Sequence, residues 1–214
     1  MVHLLIHRGL AKKKFKENTL PAFKYCFKKK FGIETDIHVT KDNKIICFHD
    51  FNLKRKFRVN KQIKNTNFEE INKIAKKFKY YVPELKELIH ISKNKNHLML
   101  EIKSLFSKDN LIELLKQTKK LKSFSITSFK EKNIRNIYKL NKNLKLGLCF
   151  VSSAPIKKII KKSRLNYIKI LVMEKKFLSQ KKLNIIKKPI YYYTAKNKLI
   201  RKKYCNKNLI LENL

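Results

Sequence analysis

The chain has 214 residues, enough for one domain with a sizeable core, and it carries 54 Lys and Arg against 15 Asp and Glu, a net charge of +39. No apolar run reaches the roughly 18 residues that a transmembrane helix needs. Four scattered cysteines, Cys26, Cys47, Cys149 and Cys205, form no Cys-x-x-Cys pair, which argues against a zinc ribbon or a disulfide framework.

Val2 to Ile6 is an apolar run with strand character, and it ends in His7-Arg8-Gly9. A strand starting at Val2 leaves no room for a signal peptide, so a cytoplasmic location is expected. Lys12 to Lys16 is a basic loop. Asn18 or Thr19 is placed to cap the helix that follows, with Pro21 in its first turn and Ala22, Phe23, Cys26 and Phe27 on its apolar face. Gly32 ends that helix and opens the stretch around which the chain is organised. From Ile33 to Ile37 the pattern alternates, so Glu34 and Asp36 share one face of a strand, and His38 continues that face. A polar turn, Lys41 to Lys44, leads to a second short strand at Ile45 to Phe48, which delivers His49-Asp50. Two carboxylates on one face with a histidine nearby suit a hard metal ion and a proton-transfer group.

Phe51 to Asn67 reads as polar and irregular, Phe68 to Phe78 as a short helix, and Glu84 to Ile91, after the Val82-Pro83 break, as another. Strands and helices then alternate. Strands are expected at His97 to Ile102, Ser123 to Thr127, Leu144 to Phe150, Tyr167 to Val172, Pro189 to Thr194 and Leu209 to Leu211. Helices are expected at Asn110 to Leu121, Lys130 to Leu140, Ile156 to Lys162, Gln180 to Ile186 and Lys198 to Tyr204. With the first two barrel strands this makes eight strands, which predicts a compact (β/α)8 TIM-type barrel with its eighth helix reduced or missing; an open doubly wound sheet is the alternative. Three strand ends, with His49 beyond the short strand, would offer His7, Arg8, Glu34, Asp36, His49, Glu101 and Lys103, and convergence of strand ends is how such barrels build active sites. With only three glycines, a dinucleotide fingerprint or P-loop is excluded.

The charge excess does not read as a nucleic-acid surface. Only six of the 54 basic residues are arginine, whose planar fork suits phosphate and base readout, and the lysines are spread over the chain. Drift toward Lys, Asn and Ile, which have A/T-rich codons, accounts for it. The expected consequences are weak attraction to anionic membrane surfaces and capture of an anionic substrate faster by about 10- to 1,000-fold.

Several of these segments together resemble the glycerophosphodiester phosphodiesterases. They are His7-Arg8-Gly9, Glu17-Asn18-Thr19 with Ala22, Gly32-Ile33-Glu34-Thr35-Asp36 with Thr40-Lys41-Asp42, His49-Asp50, Val82-Pro83-Glu84-Leu85, Leu100-Glu101-Ile102-Lys103 and Ser128-Phe129. The likeness is most specific in the first fifty residues and thins to a pattern past Phe129, yet it spans residues 1–214 as one barrel domain. It implies a divalent cation, Mg²⁺ or Ca²⁺, held by Glu34, Asp36 and Glu101. It also implies His7 and His49 as general acid and base, Arg8 and Lys103 on the phosphate, and cleavage of a glycerophosphodiester to sn-glycerol 3-phosphate and an alcohol. Lys16 and Asn43 replace a usual proline and glycine, Tyr193-Thr194 stands for Trp-Thr, and Leu211-Glu212-Asn213 for Thr-Asp-Asn. Glu17 and Asn18 either support His7 or cap the helix. His3, His38, His90 and His97 read as structural or surface residues, with His38, which shares the face of Glu34 and Asp36, the first candidate for an exception as a partner behind the site. A lysophospholipase D would need an apolar groove, for which Phe48, Phe150, Tyr192 and Tyr193 are candidates. A catalytically weak anion-binding or membrane-surface protein is the reading from a different class.

Overall fold

A computed structural model describes residues 4–196 and 198–213. Val2, where the first strand was expected to start, and His3 lie outside the described residues. The first half of the chain forms β1 (Leu4–His7), α1 (Leu20–Lys28), β2 (Gly32–Val39), β3 (Ile45–Cys47), α2 (Lys54–Phe57), α3 (Phe68–Lys76) and α4 (Leu85–Ser92). Alternation follows, with β4 (Leu98–Ile102), α5 (Lys108–Thr118), β5 (Phe124–Ser128), α6 (Glu131–Leu140), β6 (Leu146–Phe150) and α7 (Ile156–Ser163). The chain continues through β7 (Ile170–Glu174), β8 (Ile190–Ala195), α8 (Lys198–Lys203) and β9 (Asn208–Leu211).

The strands join in the order β1-β9-β8-β7-β6-β5-β4-β2, and β1 pairs with β2 to close the ring. All of these pairings are parallel, whereas β3 pairs antiparallel with β2 outside the ring. The fold is the expected eight-stranded barrel, and no helix follows β9 among the described residues.

Strand alternation divides the apolar residues into two cores. Leu5, Met99, Cys149, Ile170, Val172, Tyr191 and Ile210 are buried together inside the barrel. Ile6, Ile33, Ile37, Leu100 and Ile126 belong to the larger core shared with the helices. The interior leaves no room for side chains at two positions. A Cβ added at Gly147 would lie 2.5 Å from Ile170 Cγ1, and one at Gly32 would lie 2.6 Å from Leu5 Cδ2.

Two stretches differ from the sequence expectation. Phe51 to Asn67 is folded: it holds α2, a 3₁₀ turn at Ile63–Asn65 and a bridge between Asn52 and Gln62. Leu53, Phe57 and Ile63 are too sparse to show a period, but they pack with Ile46, Phe48 and Tyr80 in a separate core. The helix expected at Gln180 to Ile186 is replaced by 3₁₀ turns at Lys175–Ser179 and Lys181–Ile185. Extended backbone at Gln180 separates them, and each buries one side chain, Phe177 or Leu183. Among the described residues no helix is long and apolar enough to cross a membrane.

Candidate active site

Sheet register brings the ionisable residues together. His7 is paired with Glu34 across β1 and β2, and Asp36 with Glu101 across β2 and β4. Because inward-facing positions recur every second residue, these four side chains and Lys103 converge at the C-terminal mouth of the barrel. Arg8 leaves β1 with positive φ (52°), its N–H donating to the Glu34 carbonyl at 2.8 Å, and Gly9 follows at φ 73°. This turn sends Arg8 back over the carboxylates. Its Nε lies 3.1 Å from Asp36 Oδ2 and its Nη1 3.1 Å from Glu17 Oε2.

Glu34, Asp36 and Glu101 each present an oxygen within 4.8 Å of the others. Lys103 Nζ sits 2.8 Å from Glu101 Oε1 and 3.4 Å from Asp36 Oδ1. The three acids respond differently to this crowding. Burial, and then repulsion from Asp36 and Glu101, pushes the Glu34 carboxyl well up. Burial and then Asp36 push Glu101 up to about 7. Asp36 is also buried, but Arg8 and then Lys103 overcome that and hold it below the usual carboxylate range. The chain's own cations therefore neutralise one acid of three. Glu34 Oε2 and Glu101 Oε1 are buried without a hydrogen bond, the second having only the ion-pair contact with Lys103. An all-oxygen cluster whose carboxyls cannot all ionise without a further cation fits a hard divalent ion.

The two histidines sit alike. His7 Nδ1–H donates to Glu212 Oε1 at 2.8 Å, and His49 Nδ1–H donates to Asp50 Oδ1 at 2.6 Å. We assign these tautomers from the acceptors, since an ionised carboxylate only accepts. Glu212 is held ionised, down to about 2, against its burial by His7 and Lys196. Each Nε2 is thereby left as an acceptor. Burial lowers the His49 pKa, partly offset by Asp36, so the ring is biased to its neutral form.

All seven residues singled out in the sequence line one cavity of ≈ 160 Å³, whose remaining wall includes Phe129, Val172, Tyr193 and Ile210. Supporting residues answer differently. Asn18 neither touches His7 nor caps α1; its Nδ2 donates to Asp36 Oδ2 at 3.2 Å and its Oδ1 accepts from Thr35 Oγ1 at 2.9 Å. Glu17 binds Arg8, Arg55 and Lys56, and these hold it at about 2 in spite of burial. His38 Nε2–H donates to the His49 carbonyl at 3.1 Å, which makes it the exception to the structural or surface reading of the four remaining histidines. Of the four aromatics considered for an acyl groove, Tyr193 alone lines the cavity; Phe48, Phe150 and Tyr192 are buried in the outer cores. Sequence reasoning assigned no role to Glu212 or Arg55. The first stands in a strand-end triplet already compared with Thr-Asp-Asn, which was the available signal; the second had none.

A closed (β/α) barrel with its ionisable residues gathered at the C-terminal mouth is the architecture of a TIM-barrel enzyme. The sequence profile of the glycerophosphoryl diester phosphodiesterase family matches residues 7–173. A glycerophosphodiester phosphodiesterase of Caldanaerobacter subterraneus is 30% identical over 161 residues, which cover 69% of this chain and 66% of that protein. The glycerophosphodiester phosphodiesterase of Thermotoga maritima superposes with a TM-score of 0.82 at 22% identity, covering 99% of this chain and 94% of that one. An Oleispira antarctica phosphodiesterase, solved with its product sn-glycerol 3-phosphate, gives 0.82 at 17% identity, covering 99% and 92%. The two structures speak to the fold. The chain belongs to the glycerophosphoryl diester phosphodiesterase family.

Proposed function

We propose that residues 1–214 act as one catalytic domain that hydrolyses glycerophosphodiesters to sn-glycerol 3-phosphate and an alcohol. The carrying observation is that two carboxylate-backed histidines, two cations and a three-carboxylate cluster all line one cavity. Glu34, Asp36 and Glu101 would hold Mg²⁺ or Ca²⁺. Such an ion, when bound, withdraws negative charge from phosphoryl oxygens, a contribution of about several kcal/mol at the transition state.

The chain's own residues do the rest. Arg8 and Lys103 are fixed by their acid partners and aim positive charge at the phosphate, so little reorganisation is needed as charge develops there. One histidine, neutral with Nε2 open, removes a proton from the attacking water; the other enters the step as imidazolium and gives its Nε2 proton to the leaving alkoxide, so that one ring gains the proton the other loses. Each transfer is worth about 10²- to 10⁴-fold when the base is neutral near the working pH. Glu212 and Asp50 stabilise the imidazolium formed at His7 or His49. The apolar wall of Val172 and Ile210, with Phe129 at the rim, lowers the local dielectric and so strengthens these interactions.

Release of glycerol 3-phosphate from several glycerophosphodiesters, with Mg²⁺, Ca²⁺ or a chelator, tests the proposal. The expected result is metal-dependent release that His49→Ala abolishes. Release that survives both chelator and His49→Ala would refute it.

A further inference from the structure

A second groove, of ≈ 440 Å³, is lined by residues that adjoin those of the catalytic cavity. Two of its lining residues, Ser104 and Lys130, directly follow the cavity residues Lys103 and Phe129. A third, His38, holds the carbonyl of His49. The groove thus adjoins the cavity at Lys103, Phe129 and His49, on the side where an alcohol esterified to a phosphate held by Lys103 would leave.

The wall has a definite chemistry. Lys64 and Lys130 are exposed at its sides, and none of its lining residues is acidic. The carboxylates nearest in the chain are already engaged, Asp50 by His49 and Arg55, Glu131 by Arg135 and Lys162. A quaternary ammonium needs a carboxylate or a cage of aromatic faces. Phe51 is the groove's only phenyl ring, and its contact with His38 is edge to face at 5.1 Å. Gln62 and Ser104 add hydrogen-bonding groups. The wall is thus matched to anionic, hydroxyl-bearing groups and mismatched to choline.

We propose that this groove is a subsite for the leaving alcohol, and that it selects glycerophosphodiesters whose alcohol carries a second phosphate ester. The subsite rests on the phosphodiesterase reading above. Lys64 and Lys130 bind the second phosphate. Because both are solvent-exposed, the preference is modest and falls with salt.

Initial rates of glycerol 3-phosphate release from bis(glycerophospho)glycerol and from glycerophosphocholine, at low ionic strength, test it. The expected kcat/KM ratio favours the doubly anionic substrate by about tenfold, the scale of two exposed ion pairs. In Lys64→Ala/Lys130→Ala the ratio falls toward one, chiefly through a raised KM for that substrate. Lys119→Ala/Lys120→Ala, an exposed pair just past the C-terminal end of α5, removes the same charge and keeps the ratio. A wild-type ratio near one would overturn the subsite. Equal loss in both double variants would also overturn it, by showing that the field of the whole chain makes the preference. Release from neither substrate would overturn the phosphodiesterase reading and the subsite with it.

Discussion

His7 at the end of the first barrel strand is held by Glu212 just beyond the last, 2.8 Å from Nδ1 to Oε1 and 205 residues apart in sequence. The contact exists because β1 and β9 close the ring in a register that pairs Ile6 with Leu211. Glu212 fixes the ring's orientation and tautomer, and leaves Nε2 facing the cavity. Glu212→Ala is expected to lower kcat by about 10²-fold, within the range of general acid–base catalysis, with little change in KM. Glu212→Asp recovers part of the loss. Steady-state kinetics of the two variants check this; an equal fall in both with a large rise in KM would point to a collapsed site instead.

Glu34, Asp36 and Glu101 repel one another when no cation lies between them, so their pKa values are linked to metal affinity. With Glu101 raised to about 7, a divalent cation must displace a proton on binding near neutrality. Affinity for Ca²⁺ or Mg²⁺ is expected to rise with pH through that region. Calorimetric titration in two buffers of different ionisation enthalpy counts the protons released; a count of zero at pH 6.5 would contradict it. Glu34→Gln removes a carboxyl that burial and its acidic neighbours force to stay protonated in the ion-free protein, and with it the cost of that protonation. It is expected to raise the melting temperature of the ion-free protein, by about 2–4 °C for each kcal/mol relieved, while abolishing stabilisation by the cation.

The barrel and the seven cavity residues were legible because strands advertise themselves as apolar runs, and period-2 alternation says which neighbours share a face. Parity also explains the misplaced aromatics. Tyr192 and Tyr193 are adjacent in β8, so with Tyr193 in the cavity Tyr192 must face the helices. Phe150 likewise points away from the interior that Cys149 fills. Glu212 was not assigned to His7, since only ring closure tells which strand end meets β1. Arg55 lies in a stretch without a period, whose fold depends on the buried cluster of Leu53, Phe57 and Ile63.

Arg55 connects the two halves of the site. Its Nε lies 2.6 Å from Asp50 Oδ2, and its Nη2 reaches Glu17. It thus braces both the carboxylate behind His49 and the one that holds Arg8. Arg55→Ala is expected to lower kcat/KM by about tenfold, the side chain being half exposed and its pairs partly screened. Arg55→Lys should restore little, because an ammonium cannot reproduce the fork that spans two carboxylates. Full activity in the lysine variant would show that charge alone suffices there.

His38 gives the fold an acid limit of its own. Burial holds it down to about 4, while in the unfolded chain it titrates near 6.5. Between those values the unfolded state binds more protons than the folded one, so stability falls as pH falls. The contribution is fully present above 6.5 and is lost progressively toward 4. Between pH 7 and 5 the loss from this side chain is about 2 kcal/mol. Urea unfolding of the wild type and of His38→Gln at the two pH values isolates it from the carboxylates, which both proteins share. The glutamine variant is expected to be less stable at pH 7, where the wild type keeps its hydrogen bond to the His49 carbonyl and its edge contact with Phe51. It should lose less stability on going to pH 5, so that the two proteins draw together. Parallel losses would mean that His38 titrates alike in the folded and unfolded chains, and that its burial does not exclude the proton.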